Sequence, residues 1–390
     1  MFKTDKIKRA LSLLLSLTLL SGIMSYSAQA FAKVNTYPAP HGITVSTYSE
    51  KTAKIKWKLK GKLKYNSGFQ VLVYSKKDKK YISKGYTKSK SFTLSDLEQS
   101  DIRKIKIRTF VKKNGKKYFG ESAALNLPMP LEKSKITKLT YPSKGKLNVT
   151  WKAVKGAGGY ILQYTTSKKF ADKNTSTLVF GADTTSTTLK GLGAYTYYVK
   201  VCPFRVVDKI NYVSPFCEKK EMKVKKGCSF KEMVNVNKTD LSGRKDILKL
   251  TKKKVDIKKY DTTYDRLHAI YKWHKKHAQS FASCYYFTIN FNKCVDALFG
   301  ETKKYDNFIW MADGNFQNRS GSRPVHKWPV IYLQGVPYIM DGRIEGYIDS
   351  NCFGLTKGNK TYKRFLFDNW YASYRPKDIF KQKFAVKYKK

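Results

Sequence analysis

Residues Trp151–Phe170, WKAVKGAGGYILQYTTSKKF, decide the architecture of the first half of the chain. A tryptophan closes one apolar segment, the glycine-rich run GAGG follows, and Tyr160, Leu162 and Tyr164 then recur at every second position. A period of two on either side of a glycine turn is the pattern of strand, turn and strand. Working outward, the segments KITKLT and LNVTW precede this stretch, and STLVFG, TSTTL, YTYYVKVCPF and INYV follow it. Short strands separated by polar turns predict an antiparallel sandwich and exclude a helical bundle.

The same order is written once more upstream, in GITVSTY, TAKIKWKL, GFQVLVYS, SFTLSDL, IRKIKIRTFV and YFGESAALNL, with the linker PMPLEKSK between the copies. Trp57 and Trp151 fall in matching second strands, and Phe69 and Tyr160 open matching third strands. These are two copies of one module. At these residues the chain resembles bacterial fibronectin type III domains, over about half of its length. In the second copy the resemblance makes Tyr197, in Tyr197-Tyr-Val-Lys-Val, the corner tyrosine of the sandwich. In the first copy charged residues, DIRKIKIRTF, stand after Leu97 at that place. The resemblance implies sandwiches over residues 33–130 and 131–226, serving as spacers or surface-binding modules, since the fold sets no chemistry.

The N-terminus has the three parts of a secretory signal peptide: basic MFKTDKIKR, the apolar run ALSLLLSLTLLSGIM, and a small-residue stretch with Ala28-Gln29-Ala30. Cleavage after Ala30 or Ala32 leaves a secreted or cell-wall-associated chain with no later membrane span, and the alternative is an uncleaved membrane anchor. The formal net charge of the full sequence is +50, from 78 Lys and Arg against 28 Asp and Glu, and it is spread along the whole length. Such a surface gathers polyanions. For a secreted protein those are anionic cell-wall polymers or the cell surface. Nucleic acid is disfavoured, because no zinc finger, helix-turn-helix or RNA-binding aromatic pattern accompanies the charge. The charge is equally compatible with solubility alone.

Six cysteines, at 202, 217, 228, 284, 294 and 352, form no CxxC pair, so no metal and no cofactor is expected. Cys202 and Cys217 flank a turn near Asp208–Asn211, which leaves either a cross-strand disulfide or two buried thiols. Cys228 and Cys352 are a second candidate bridge.

After Cys228 the texture changes. DTTYDRLHAIYKWHKKHAQ places Leu267, Ile270, Tyr271 and His274 at helical spacing behind a Thr262-x-x-Asp265 cap, and strand-like segments come later, so residues 227–390 read as an α+β domain. His268, His274 and His277 fall on more than one face of that helix and read as packing or surface residues. In SFASCYYFTINFNKCVDALFG, Phe287, Phe291, Cys294 and Leu298 share a face, which sets Cys284 at a helix N-terminus. There the helix dipole favours a thiolate. Downstream, VHKWPVIYLQGVPYIMDG reads as a hairpin that returns Asp341 beside His326. Nucleophile, base and orienter are then all present.

Residues from about Tyr264 to Phe367 resemble the transglutaminase-like superfamily of papain-type cysteine enzymes. The carrying motifs are Ala269-Ile-Tyr-Lys-Trp273, then Cys284 with Phe287 and Phe291, then His326, Trp328, Gly335, Tyr338 and Asp341. The resemblance implies a Cys284–His326–Asp341 catalytic triad. The Cys284 amide is the natural oxyanion donor, with Gln279 a loose second candidate and Trp328 a candidate wall of the substrate pocket. The sequence departs from the family at Ala282 in place of glycine, Pro329 in place of asparagine, Asp341-Gly342 in place of Asp-Pro, and in the long polar loop NFQNRSGSRPV. The expectation is a multidomain chain in which two sandwiches precede a transglutaminase-like thiol acyl-transfer enzyme. Its substrate is a protein or peptidoglycan-peptide amide, and it acts as protease, amidase or transglutaminase. The alternative is a catalytically inactive, wall-associated binding protein that uses its modules and basic surface.

Overall fold

The computed structural model describes residues 37–98, 101–170, 175–236, 241–242, 244–252, 254–299, 307–348, 350–374 and 387–388. The signal-peptide reading of residues 1–32 therefore lies outside the described residues. Two compact units divide at Leu127 and Pro128, with the short piece Thr47–Glu50 grouped with the second.

In the first unit, β1 (His41–Tyr48), β2 (Ala53–Lys58) and β5 (Ser91–Leu94) make one sheet, in the order β1-β2-β5. The other has the order β4-β3-β6-β7, from β3 (Ser67–Ser75), β4 (Lys80–Thr87), β6 (Ile102–Lys113) and β7 (Lys116–Pro128). This is the two-sheet arrangement of a fibronectin type III sandwich. Alternation decides which side chains face inward: Ile105, Ile107 and Thr109 are fully buried, while Lys104, Lys106 and Arg108 between them are not.

The second unit opens with the same order. Strands β8 (Ile136–Thr140), β9 (Leu147–Trp151) and β12 (Ser186–Leu189) pair as β12-β9-β8. Facing them are β10 (Gly159–Thr165), β11 (Ser176–Gly181) and β13 (Thr196–Val207), with β14 (Ile210–Val213) and β15 (Lys220–Lys223) both paired to β13. In each sandwich the matched aromatics meet across the core. Trp57 and Phe69 are 5.2 Å apart at 74°, and Trp151 and Tyr160 are 5.7 Å apart at 59°. Tilted and edge-on contacts of this kind add to the burial of both rings. Gly159 is required between them, because a β-carbon there would stand 2.3 Å from Phe180 O and 2.5 Å from the Phe204 ring.

Tyr197 is the corner tyrosine: its buried hydroxyl accepts the Gly193 N–H at 3.0 Å. In the first sandwich Arg103, the second residue of β6 as Tyr197 is of β13, is buried in its place. Cys202 and Cys217 are both free and belong to different apolar clusters on opposite sides of β13, so no bridge joins them. Cys228 and Cys352 are free as well.

Past β15 the same unit becomes α+β. Its helices are α1 (Phe230–Val236), α2 (Lys245–Thr251), α3 (Thr263–Lys276) and α4 (Cys284–Phe299). They precede an antiparallel five-stranded sheet in the order β19-β18-β17-β16-β20. Its strands are β16 (Asn307–Phe316), β17 (Val325–Leu333), β18 (Val336–Met340), β19 (Phe353–Leu355) and β20 (Phe365–Tyr374), with a short helix α5 (Glu345–Ile348) between β18 and β19. Thr262 caps α3 by accepting the Asp265 N–H at 3.1 Å, while its own hydroxyl donates to the Asp265 carboxylate at 2.6 Å. One face of the sheet, including Ile331, Leu333 and Met340, packs on α3 and α4. The other, including Trp328, Val330 and Ile339, packs on α5 and the chain that follows it. A strand covered on both faces reads as a continuous apolar run, which is why β17 is buried from Trp328 to Leu333.

The expected boundary at residue 227 is a change of architecture inside one compact unit. Thr166 Oγ1 donates to Gly335 O at 3.0 Å, and Lys144 pairs with Glu232 at 2.7 Å. Among the described residues no helix is long and apolar enough to cross a membrane.

Tyr197→Phe removes the acceptor of a buried backbone N–H, which costs about 1–3 kcal/mol. A fall of that size in the urea-unfolding free energy of the second unit is the expected outcome, with the first unit's transition unmoved.

Candidate active site

Three elements converge on the triad. The turn between β17 and β18 is two residues long, Gln334 and Gly335, with φ of 47° and 81°. Two positive values make a tight hairpin turn matched to the strand twist. The last rung of the hairpin is Val330–Ile339. Extended further, that register would set Asp341 opposite Trp328 and not opposite His326. The strands instead part after this rung, and Asp341 and His326 meet as diagonal neighbours on one face, with His326 Nε2 and Asp341 Oδ2 2.6 Å apart. The hairpin thus brings the two residues together, but by a splayed pair in place of the side-by-side rung that the sequence suggests.

Where β18 leaves it, the edge of β17 receives the first turn of α4. Thr288 Oγ1 donates to Lys327 O at 3.1 Å, and the Lys327 N–H donates to the Cys284 sulfur. Cys284 and Thr288 are one helical turn apart, so both groups of a single strand residue clamp one face of the helix start. Phe287, Phe291, Cys294 and Leu298 are fully buried along α4, as the spacing predicts. Ser283 precedes the helix, accepting the Tyr286 N–H on its hydroxyl at 3.4 Å and the Phe287 N–H on its carbonyl at 3.0 Å. The amides of Cys284 and Tyr285 are the remaining first-turn donors that an oxyanion would meet.

The electrostatics favour an ion pair. Burial pushes the Cys284 thiol up, but a hydrogen bond and the charge of His326, with the Lys327 amide, outweigh it and hold the thiol below its ordinary value. Burial likewise pushes His326 down, and Asp341 outweighs it, so the imidazole is raised to about 9. With Nε2 committed to Asp341, Nδ1 is the ring nitrogen left for the thiol. Burial raises the other five thiols: Cys202, Cys217, Cys228, Cys294 and Cys352.

Trp328 is fully buried, stacks on the His326 ring at 5.9 Å and 20°, and is backed by Phe365 and Phe367. It holds the imidazole from behind. Gln279 is exposed on the short turn Ala278–Ser280 and stands outside the hydrogen-bonded triad. The histidines of α3 and its C-terminal cap pack: His274 is buried with its Nδ1–H on Ile270 O at 2.8 Å, His277, at the cap, stacks on Trp273, and His268 lies tilted against Phe353. Among the described residues no three His, Cys, Asp or Glu side chains gather as for a metal ion.

Several supports have no signature in the sequence. The Arg343 N–H donates to Asp341 Oδ1 at 3.0 Å, and its guanidinium donates to Phe281 O at 3.2 Å and to Ala278 O. One residue therefore ties Asp341 to the segment that leads into Cys284. Glu345, nearly buried, accepts from Tyr271 Oη, from Lys275 and, at 2.8 Å, from the Cys352 N–H. Between these contacts Gly342 lies against α3, where a β-carbon would stand 2.9 Å from Lys275 Cβ. That close approach leaves little room for a side chain at this position. A cleft of about 570 Å³ opens beside Glu345, lined by His268, Tyr271, Lys272, Lys275, Ser350 and Asn351, but neither Cys284 nor His326 reaches it. Tyr285 and Tyr286, which follow Cys284 in the chain, Val325, which precedes His326, and Tyr347 of α5 are exposed apolar side chains.

No family model matches the chain, and no curated protein does. Among solved structures, the FN1–FN3 domains of chicken CNTN1 are similar at 15% identity and a TM-score of 0.36, covering 50% of this chain and 69% of that one. A two-domain fibronectin type III segment of chicken tenascin is similar at 15% identity and a TM-score of 0.23, covering 48% of this chain and 99% of that one.

At neutral pH, iodoacetamide is expected to modify Cys284 before the other five cysteines, mapped by mass spectrometry. His326→Gln removes the charge that lowers the thiol and alters the hydrogen bond that does so, and it should slow this about tenfold or more. Arg343→Ala should slow it severalfold, with partial recovery in Arg343→Lys, while Cys294 stays protected.

Proposed function

We propose that the α+β part of the chain is a thiol acyl-transfer domain of the transglutaminase-like kind, acting outside the cell on amide bonds of protein or cell-wall peptide. The observation that carries this reading is the buried His326–Asp341 contact at 2.6 Å with its imidazole held against a thiol lowered below its ordinary value.

The chemistry follows from those charges. The Cys284 thiolate attacks the amide carbonyl carbon, and the carbonyl oxygen takes the negative charge toward the first amides of α4. His326, protonated and oriented by Asp341, gives its Nδ1 proton to the departing amine, and a thioester remains on Cys284. The neutral imidazole then takes a proton from water, which yields the carboxylic acid, or from an amine, which yields a new amide. The exposed rings of Tyr285 and Tyr286, next to Cys284 in the chain, offer apolar contact to side chains flanking the scissile bond.

The two titrations bound the activity. Turnover should fall on the acid side as Cys284 gains its proton, at a pH below that of an ordinary thiol. On the alkaline side it should fall through about 9, as His326 loses the proton needed by the leaving amine. The test is hydrolysis of a peptide library, with and without a primary amine as acceptor, by the native chain and by Cys284→Ala. Activity lost in the variant with that pH profile supports the proposal, and activity unchanged in the variant ends it.

A further inference from the structure

The first sandwich carries a face that its fold does not require. On the sheet β4-β3-β6-β7 the outward positions of the two central strands are Gly68, Gln70, Leu72 and Tyr74 of β3 and Lys104, Lys106, Arg108 and Phe110 of β6, and none is acidic. Cations and rings interlock across it. Lys106 Nζ lies 4.2 Å from the centre of the Tyr81 ring, Lys117 Nζ 4.0 Å from Tyr86, and the Arg108 guanidinium 3.7 Å from Phe119. Arg108 Nε also donates to Gln70 Oε1 at 2.8 Å, and Gln70 Nε2 donates to the Tyr86 hydroxyl at 3.0 Å.

We propose that this face binds a linear phosphodiester polymer of the polyol-phosphate type. Lys104, Lys106 and Arg108 occupy successive outward positions, which a strand spaces about 7 Å apart. That is a straight row of cations for a chain bearing one anionic group per short repeat. Cations resting on rings have given up part of their water and much of their rotamer freedom before any ligand arrives, which lowers the cost of pairing them. Bases of a single-stranded nucleic acid would need open ring faces to stack on. Here the rings are turned edge to face, Tyr86 on Phe110 at 89° and Tyr74 on Tyr81 at 69°, and are capped by the cations. The inference stands apart from the acyl-transfer reading, since the face lies in the first unit and Cys284 in the second.

The experiment measures binding of the full chain to poly(glycerol phosphate) across a salt series. Lys104→Glu/Lys106→Glu is compared with Lys138→Glu/Lys146→Glu, an equal change of net charge at exposed lysines of the second sandwich. The first pair should weaken binding about tenfold or more and lower the slope of log K against log salt by about one to two, with the control pair changing affinity less than about threefold. Tyr86→Leu, which keeps every charge, should weaken binding severalfold, and Cys284→Ala should bind as the native chain does. Circular dichroism on each variant separates lost binding from lost folding. Equal weakening by the two charge reversals would overturn the proposal, as would native binding by folded Tyr86→Leu or tighter binding of a single-stranded oligonucleotide of equal charge.

Discussion

The α+β part of this chain is organised around one carboxylate. Asp341 has no solvent-accessible surface, and a carboxylate out of water is costly unless paired and hydrogen-bonded. His326 pairs with one of its oxygens and the Arg343 N–H with the other. Removing either partner would leave buried charge, so the turn after β18, the splay of the hairpin and the stacking of Trp328 behind the imidazole are bound to one another. Cys284 needs less from its neighbours. Half-buried at a helix start, it takes its low proton affinity from the imidazole that Asp341 has already charged.

Much of this was legible because side-chain chemistry and period-two spacing leave marks in sequence. The two sandwiches follow from alternation and from the paired aromatics Trp57–Phe69 and Trp151–Tyr160, and the helix starting at Cys284 follows from Phe287, Phe291 and Leu298. Backbone contacts leave no such mark. The Lys327 amide and carbonyl, which dock the cysteine helix on the strand edge, would be the same for almost any residue at that position. The diagonal meeting of His326 and Asp341 was illegible for a related reason, since where two strands part is decided by what covers them. Arg343 and Glu345 read as two more charges in a charged chain, and only the placement of α3 and of the segment after it gives them partners.

The two sandwiches show how one core tolerates different local solutions. The tyrosine corner of the second uses a hydroxyl to satisfy the Gly193 amide, whereas the first places Arg103 at the corresponding strand position, buried in spite of its charge. Both keep the tryptophan against the opening aromatic of the third strand. That contact is what the repeat preserves, because it is the apolar volume that joins the two sheets.

The net charge of +50 bears on the triad in a way that separates its two members. A positive surroundings stabilises a thiolate and destabilises an imidazolium, so on a lysine-rich surface the ion pair would tend to lose its proton from the histidine side. Screening limits this to charges within about 8 Å at physiological salt. The structure sets Asp341 directly on the imidazole, and it pairs Lys275 with Glu345 and Lys327 with Asp313. Asp341 thus orients the imidazole and also keeps it protonated inside a strongly basic chain.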